Sequence, residues 1–534
     1  MQQAPNGQPV QYIMANGTQQ TNGSAAQRGN ISAAKAVASA VKTTLGPLGM
    51  DKMLIDPAGN ILITNDGVTI LREIGIEHPA AKMIVEVAKT QESHCHDGTT
   101  SAVVLSGALL EQAEHLLNKG IHPTTICKGF RIARDRCIKE LNDWSSTLDI
   151  KGSLKGDSTA SASKTSLTGK SAEGLQGQLT KICLEAVQTV DDFDDIRVIS
   201  VSGKGEEDTT SVAGLVIERG LASPNMIRSF GDAKILLMDC AIEPKSTSME
   251  TQVQITSPDQ VAQFLEQEEN SIREMVANIV DTGCNVLFTQ RKVDDLALHY
   301  LKKANISVAE SIQKSDLNHL TRITGASIVS SVTSPISEEE LGTADFAVND
   351  DFDDDLICIS VLNGSPVFTI IASGATRHVA EEMERAIEDA VGVAWLAERE
   401  PLLPGAGATQ AHLHLVLKAV PVVGRQQMAV EAFGEALLSI PDAISENAGL
   451  DPVDVRVDLL AAHKDGDSLR CINIDGPAER YAVGNARKSS IVEPLSLHTQ
   501  AITSATEAAI MILRIDDVIR MNPEAAGQGG LQPM

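Results

Sequence analysis

Apolar positions divide this chain into helical and strand-like blocks. From Asn30, the residues Ile31, Ala34, Val37, Ala38, Val41 and Leu45 recur every three or four positions, which predicts a helix with one buried face. Residues 60–64 and 68–71 are short apolar runs flanking Asn65-Asp66-Gly67, a pattern that predicts a hairpin. Helices are expected at about 79–91, 99–118 and 123–144. Their apolar faces, carried by residues such as Val103, Leu105, Leu109, Leu110, Leu116 and Leu117, are broad enough for a buried helical layer.

The middle of the chain reads differently. Gly and Ser dominate residues 151–163, which suggests a linker or surface insertion. A helix near 172–190 precedes strand-like alternation over 196–240, where Ile235-Leu236-Leu237-Met238 suits a strand buried on both faces. After an acidic helix at 258–281, short strands at 285–289, 306–309 and 326–332 alternate with helices at 293–303 and 315–323, an α/β signature. The acidic run Asn349–Asp355 lacks the central Gly and closing Glu of a calcium loop and reads as a solvated turn. Helices return at about 377–398, 407–420 and 424–447, with Gly449 placed as a stop and Pro452 just beyond. A last helix is expected at 495–519. Helices at both ends with an α/β unit between them imply a discontinuous domain into which the middle is inserted. Residues 1–27 and 522–534 are polar and small, and are expected to be disordered.

Composition narrows the function classes. The chain's 534 residues suggest roughly three or four domains. A net charge of −27 disfavours nucleic-acid binding, which needs clustered Lys and Arg, and 3% aromatics leave few stacking platforms. Eight dispersed cysteines without a C-x-x-C pair point to a reducing compartment. With no secretory pattern at the N-terminus and no run long enough to span a membrane, a soluble cytoplasmic protein is expected.

Three short turns carry the candidate chemistry: Thr43–Met53, Thr64-Asn65-Asp66-Gly67 and Asp97-Gly98-Thr99-Thr100-Ser101. Glycine lets a backbone approach an anion and aim its amides at it, and carboxylates suit a hard cation such as magnesium. Asp97 precedes an apolar helix, and a helix N-terminus favours anions. Read alone, Asp97 is more commonly a helix cap and Asp66 a hairpin turn. Lys164–Ser171 nearly spells a Walker loop but lacks its first Gly and a preceding buried strand, so a P-loop fold is rejected. His94-Cys95-His96 suits zinc in ligand type, but structural zinc sites need about four spaced ligands and no second cluster is evident.

The three turns, together with Glu77–Met83, Thr165–Lys170, Ile255–Gln260, Phe264–Glu269, Glu446–Pro452, Ser504–Ala509 and Ile512–Asp517, make this chain resemble the group II chaperonins, of the archaeal thermosome type, over residues 28–520. The resemblance implies a multidomain chaperonin fold. A mainly α-helical, discontinuous equatorial domain would span 1–150 and 404–534, a small α/β intermediate domain 151–220 and 372–403, and an α/β apical domain 221–371 with a helical protrusion near 247–277 as a built-in lid. It implies ATP or ADP and Mg2+ as cofactors, with K+ a further candidate. Partners would be other chaperonin subunits, of the same or a paralogous type, in stacked double rings, and non-native polypeptide clients; neither nucleic acid nor membrane is implied.

By the same resemblance, Leu45, Gly46, Pro47, Asp97, Gly98, Thr99, Thr100, Ser101, Lys170, Gly407 and Glu493 bind nucleotide, with Asp97 on the metal, Lys170 toward the γ-phosphate and Glu493 at the ribose. Asp66 and Asp389 are implied as catalytic. Asp389 would orient the attacking water from the intermediate domain, so that hydrolysis depends on domain closure. Read internally, Asp389 is one more acid on a charged helix, Lys170 a surface-loop lysine and Glu493 an acid before a Pro-started helix. Exposed members of Val261, Phe264, Leu265 and Ile272 would hold clients. His96 and Ala406 stand where the family usually has Gly. Neither removes a carboxylate, so a working, differently tuned ATPase is expected. The alternative is an ATPase-impaired structural or holdase subunit of a mixed ring, and a metal-dependent enzyme built on His94, Cys95 and His96 ranks far behind.

Overall fold

The computed structural model describes residues 19–55, 57–59, 61–153, 157–243, 258–332, 335–349, 355–361, 366–474 and 483–520. The chain forms two compact units, Met1–Lys170 with Leu396–Met534, and Ser171–Trp395. It is helix-rich, with mixed sheets.

The first unit is a helical layer built around the helix Thr99–Asn118, which lies where the apolar spacing put it. Val103, Leu105, Leu109 and Leu110 on this helix are buried in one core with Ile31, Val41, Phe130, Phe433 and Ile512. Two glycines let neighbouring helices cross closely. A Cβ on Gly107 would come within 2.4 Å of the Ala38 methyl, and one on Gly129 within 2.4 Å of the Ala429 methyl.

Several expectations need correction here. The segment Lys52–Ile55 pairs antiparallel with Ile61–Thr64, so the hairpin lies earlier than expected. Gly67–Glu73 is a helix, because the Asp66 carboxylate caps the amides of Val68 and Thr69 instead of closing a turn. Of the expected tails, Gln19–Asn22 is a strand paired with Asp517–Arg520, and a helix already begins at Gly23. The last helix accordingly stops at Leu513. Residues 1–18 and 521–534 lie outside the described residues. The Gly/Ser-rich stretch includes the helix Ser158–Leu167, whose small side chains bury Ala162 and Ser163 and let Thr165 Oγ1 accept from the Val492 amide at 3.3 Å. The expected helix 424–447 breaks into Gln426–Leu437 and Ser439–Asn447; Pro441 has no amide for the Leu437 carbonyl. Pro452–Lys464 forms a further helix, capped by Asp451.

In the second unit, a sheet runs in the order Gly214–Ile217, Leu356–Ser360, Gly342–Asn349, Ser229–Met238, Val286–Thr289, Ser307–Ala309, with Ile328–Val329 also on Ser229–Met238. Ile235–Met238 is fully buried, as its unbroken apolar run predicts. A smaller sheet sets Phe368–Gly374 between Ile196–Ser202 and Thr210–Val212. Within the expected lid, residues 244–257 and the side chains of Val261, Phe264 and Leu265 lie outside the described residues. Ile272 packs in the core with Met275, Val276 and Ile279, so it is no client-holding surface. Residues 350–354 of the acidic run also lie outside the described residues. Among the described residues, no helix is long and apolar enough to cross a membrane.

Candidate functional site

Turns from distant parts of the first unit meet around one helix N-terminus. The first follows the helix Gly23–Lys42. Gly46 has φ +88°, and at Gly49 a Cβ would fall 2.3 Å from the Thr44 carbonyl oxygen, so both glycines are required by this turn. Asn447 clamps it from outside, donating from its side-chain amide to the carbonyls of Lys42 at 3.0 Å and Leu45 at 2.7 Å.

The second turn holds Asp66. Its Oδ2 accepts from the Thr69 amide at 2.8 Å, and the Thr99 hydroxyl donates to its Oδ1 at 3.4 Å. A Cβ on Gly67 would lie 2.6 Å from Thr100 Oγ1, so this turn rests directly on the start of the Thr99 helix. Lys170 follows Gly169 on a third loop, with φ +80° at that glycine. A Cβ at Gly169 would sit 2.7 Å from Pro47 Cα, and Asn65 donates to the Gly169 carbonyl at 3.0 Å. The segments carrying Leu45, Gly46 and Pro47, Asp66, and Lys170 are thereby packed together.

Asp97 and Gly98 lead into the Thr99 helix. Asp97 Oδ1 accepts from the Gly98 amide at 2.7 Å, and Gly98 adopts the left-handed conformation. No side chain caps this helix among the described residues, so its first turn, with Thr99, Thr100 and Ser101, retains its capacity for an anion. Glu92 lies near enough for burial first and the Asp66 charge second to raise its pKa, opposed by Arg72.

A second group adjoins the first. Strands Leu402–Pro404 and Val492–Pro494 pair so that Leu403 faces Glu493. A Cβ on Gly405 would lie 2.6 Å from Glu493 Oε1, and the buried His498 Nε2 lies 3.0 Å from Glu493 Oε2. Gly407, at φ +82°, precedes the helix Ala408–Lys418, where a Cβ would press within 2.8 Å of Pro441. Leu497 joins the two groups, its Cδ2 lying 3.0 Å from where a Gly98 Cβ would be. Asp389 belongs to the other unit, half-buried on the helix Arg377–Arg399 beside Ala386, Ile387 and Ala390.

The His94-Cys95-His96 string does not converge on a point. His94 is exposed, while Cys95 is 1% exposed and burial pushes its thiol up to about 12, which keeps it protonated.

The model of the TCP-1/cpn60 chaperonin family matches residues 37–523. The chain belongs to this family. It is 44% identical over 521 residues to a thermosome subunit of Methanopyrus kandleri, covering 95% of this chain and 94% of that one. It is 42% identical over 536 residues to the thermosome subunit beta of Methanothermobacter thermautotrophicus, covering 99% and 97%. Against the thermosome subunit alpha of Halobacterium salinarum the identity is 43% over 542 residues, covering 99% and 94%. The chain is a group II chaperonin subunit.

In this chaperonin, both departures from glycine fall on left-handed backbone: His96 has φ +57° and Ala406 φ +48°. His96 ends the helix Pro79–Cys95, its amide donating to the Glu92 carbonyl at 2.9 Å, and burial lowers its imidazole pKa. Histidine tolerates this conformation better than most residues. Alanine does not, because its methyl crowds the following carbonyl on left-handed backbone. Left-handed alanine costs roughly 1–2 kcal/mol, while glycine's extra unfolded-state entropy returns about 0.4–1 kcal/mol. Ala406→Gly is therefore expected to stabilise the chaperonin by about 0.8 kcal/mol. Urea unfolding should show a higher midpoint at an unchanged slope; a lower midpoint would contradict the strain argument.

Sequence reasoning did not single out Gln91, Asn447, Leu497 or His498. Asn447 sits inside the quoted Glu446–Pro452 string, but nothing local says which turn it clamps. Gln91 and His498 are polar residues on otherwise buried helix faces, and that mismatch was the available signal.

Proposed function

We propose that this chaperonin chain is an ATP-hydrolysing subunit of a double ring that encloses and folds non-native proteins in the cytoplasm. The observation that carries the proposal is the meeting of glycine-dependent turns at the uncapped start of the Thr99 helix, beside Asp66 and Asp97. The cradle and its oxygen donors fit a nucleotide phosphate chain with a hard cation.

In this reading, the turn Leu45-Gly46-Pro47 and the segment Gly98-Thr99-Thr100-Ser101 bind the nucleotide through backbone amides and hydroxyls. Lys170 reaches toward the γ-phosphate. Gly407 permits close backbone approach, and Glu493 receives the ribose hydroxyls. Asp97 holds magnesium, which when bound neutralises phosphate charge during transfer; K+ is a further candidate cation. Asp66 helps place a cation or the attacking water, and Asp389 orients that water. The domain assignment goes with it: equatorial 1–150 and 404–534, intermediate 151–220 and 372–403, apical 221–371 with the lid near 247–277. ATP hydrolysis would drive lid closure over the client.

The test is ATP turnover by the purified assembly, with and without magnesium, set against Asp389→Ala. Magnesium-dependent hydrolysis in the wild type and its loss in the variant are expected. A wild-type rate no higher than the variant's would overturn the ATPase reading and leave a structural or holdase subunit.

A further inference from the structure

Gln91 is a fully buried amide in the helix Pro79–Cys95, among residues that are otherwise apolar on that face. Its Nε2 donates to the Asp97 carbonyl at 3.1 Å and to the Leu497 carbonyl at 3.2 Å. Two N–H donors meet two acceptors, and this fixes the amide's orientation. Turned over, Oε1 would face both carbonyl oxygens. As it stands, Oε1 is buried without a hydrogen-bond partner. An unpartnered buried acceptor is costly, so the amide is held in place by what its nitrogen does.

The nitrogen acts on one peptide plane. The Asp97 carbonyl and the Gly98 amide belong to the same rigid group. Gln91 holds the oxygen of that group, and its N–H donates to Asp97 Oδ1 at 2.7 Å. The carboxylate is thus tied to Gln91 through two hydrogen bonds and a planar unit that cannot flex between them. The plane is also hemmed in: a Cβ on Gly98 would lie 3.0 Å from Leu497 Cδ2 and 3.3 Å from Gln91 Nε2. Through the Leu497 carbonyl the same amide anchors the first turn of the helix Leu495–Leu513, which carries His498 beside Glu493.

We propose that Gln91 is a positioning residue that aims the Asp97 carboxylate at the metal. The inference rests on the reading of Asp97 as the magnesium ligand. It assigns Gln91 no contact with nucleotide or metal. Supporting partners of metal ligands typically contribute 10–100-fold in metal affinity or activity.

Two variants test it. Gln91→Met keeps the length and removes both donors. Gln91→Asn keeps an amide that is one methylene too short to hold both carbonyls. ADP binding is measured by calorimetry with magnesium and with a chelator, and thermal melting is followed in parallel. The gain in ADP affinity conferred by magnesium is expected to fall 10–100-fold in both variants, with affinity in chelator unchanged. A purely structural role would lower the melting temperature and leave that gain intact, which would overturn the proposal. If wild-type ADP binding shows no magnesium dependence, the reading of Asp97 fails instead, and the two failures are told apart.

Discussion

Asp389→Ala is expected to lower ATP turnover by about 10²–10⁴-fold while leaving ADP affinity within a factor of two. The separation follows from where the residues lie. Every turn proposed to grip the nucleotide belongs to the first unit, from Leu45 to Glu493, and Asp389 belongs to Ser171–Trp395. A carboxylate whose work is to orient water contributes to the transition state and little to the bound ground state. Asp97→Ala provides the contrast. It removes a proposed metal ligand, so magnesium-dependent ADP binding and turnover should fall together. Single-turnover hydrolysis and calorimetric ADP binding on both variants would check this. Equal loss of binding in Asp389→Ala would remove its assignment to the chemical step.

A second large effect is expected at the hairpin Lys52–Ile55 and Ile61–Thr64. Met53 faces Ile63 across the pair, and Ile55 faces Ile61. These four side chains are 62%, 44%, 67% and 45% exposed, respectively. A two-stranded hairpin is marginally stable alone, and a contiguous apolar face of this kind marks an interaction surface. In the proposed ring the covering partner is a neighbouring subunit. Burying one such side chain is worth roughly 1.5–3 kcal/mol, so the double change Met53→Glu with Ile55→Lys removes about 3–6 kcal/mol per contact, a hundredfold or more in association. Light scattering should show the assembly collapsing to small species, with the helical circular dichroism signal preserved. An unchanged mass would mean that this face is not an assembly contact.

The residues explain which features were legible beforehand. The Thr99–Asn118 helix and the Ile235–Met238 strand were readable because their apolar spacing states their burial directly. Gly449 was readable as a stop because only its backbone freedom matters there: it has φ +72° and donates to the Glu446 carbonyl at 3.0 Å. By contrast, Val68-Thr69-Ile70-Leu71 resembles a strand by composition, yet it is helical because Asp66 supplies two capping contacts and the Thr99 helix packs against it. Residues 151–163 read as a linker because small residues can signal either exposure or close packing, and the part of them inside the helix Ser158–Leu167 is close-packed.

What the sequence by itself determined is the local chemistry: which turns can approach an anion, which carboxylates are available for a metal, and which helix faces must be buried. These are properties of neighbouring residues, and spacing records them. Only the tertiary structure decided which of those turns share a site, that Ala406 occupies a backbone suited to glycine, and that Gln91 fastens Asp97 to the Leu497 carbonyl, which lies 406 positions from Gln91. Such pairings are set when distant helices pack into one core. Their energetics depend on distances between segments that the linear order of residues does not encode.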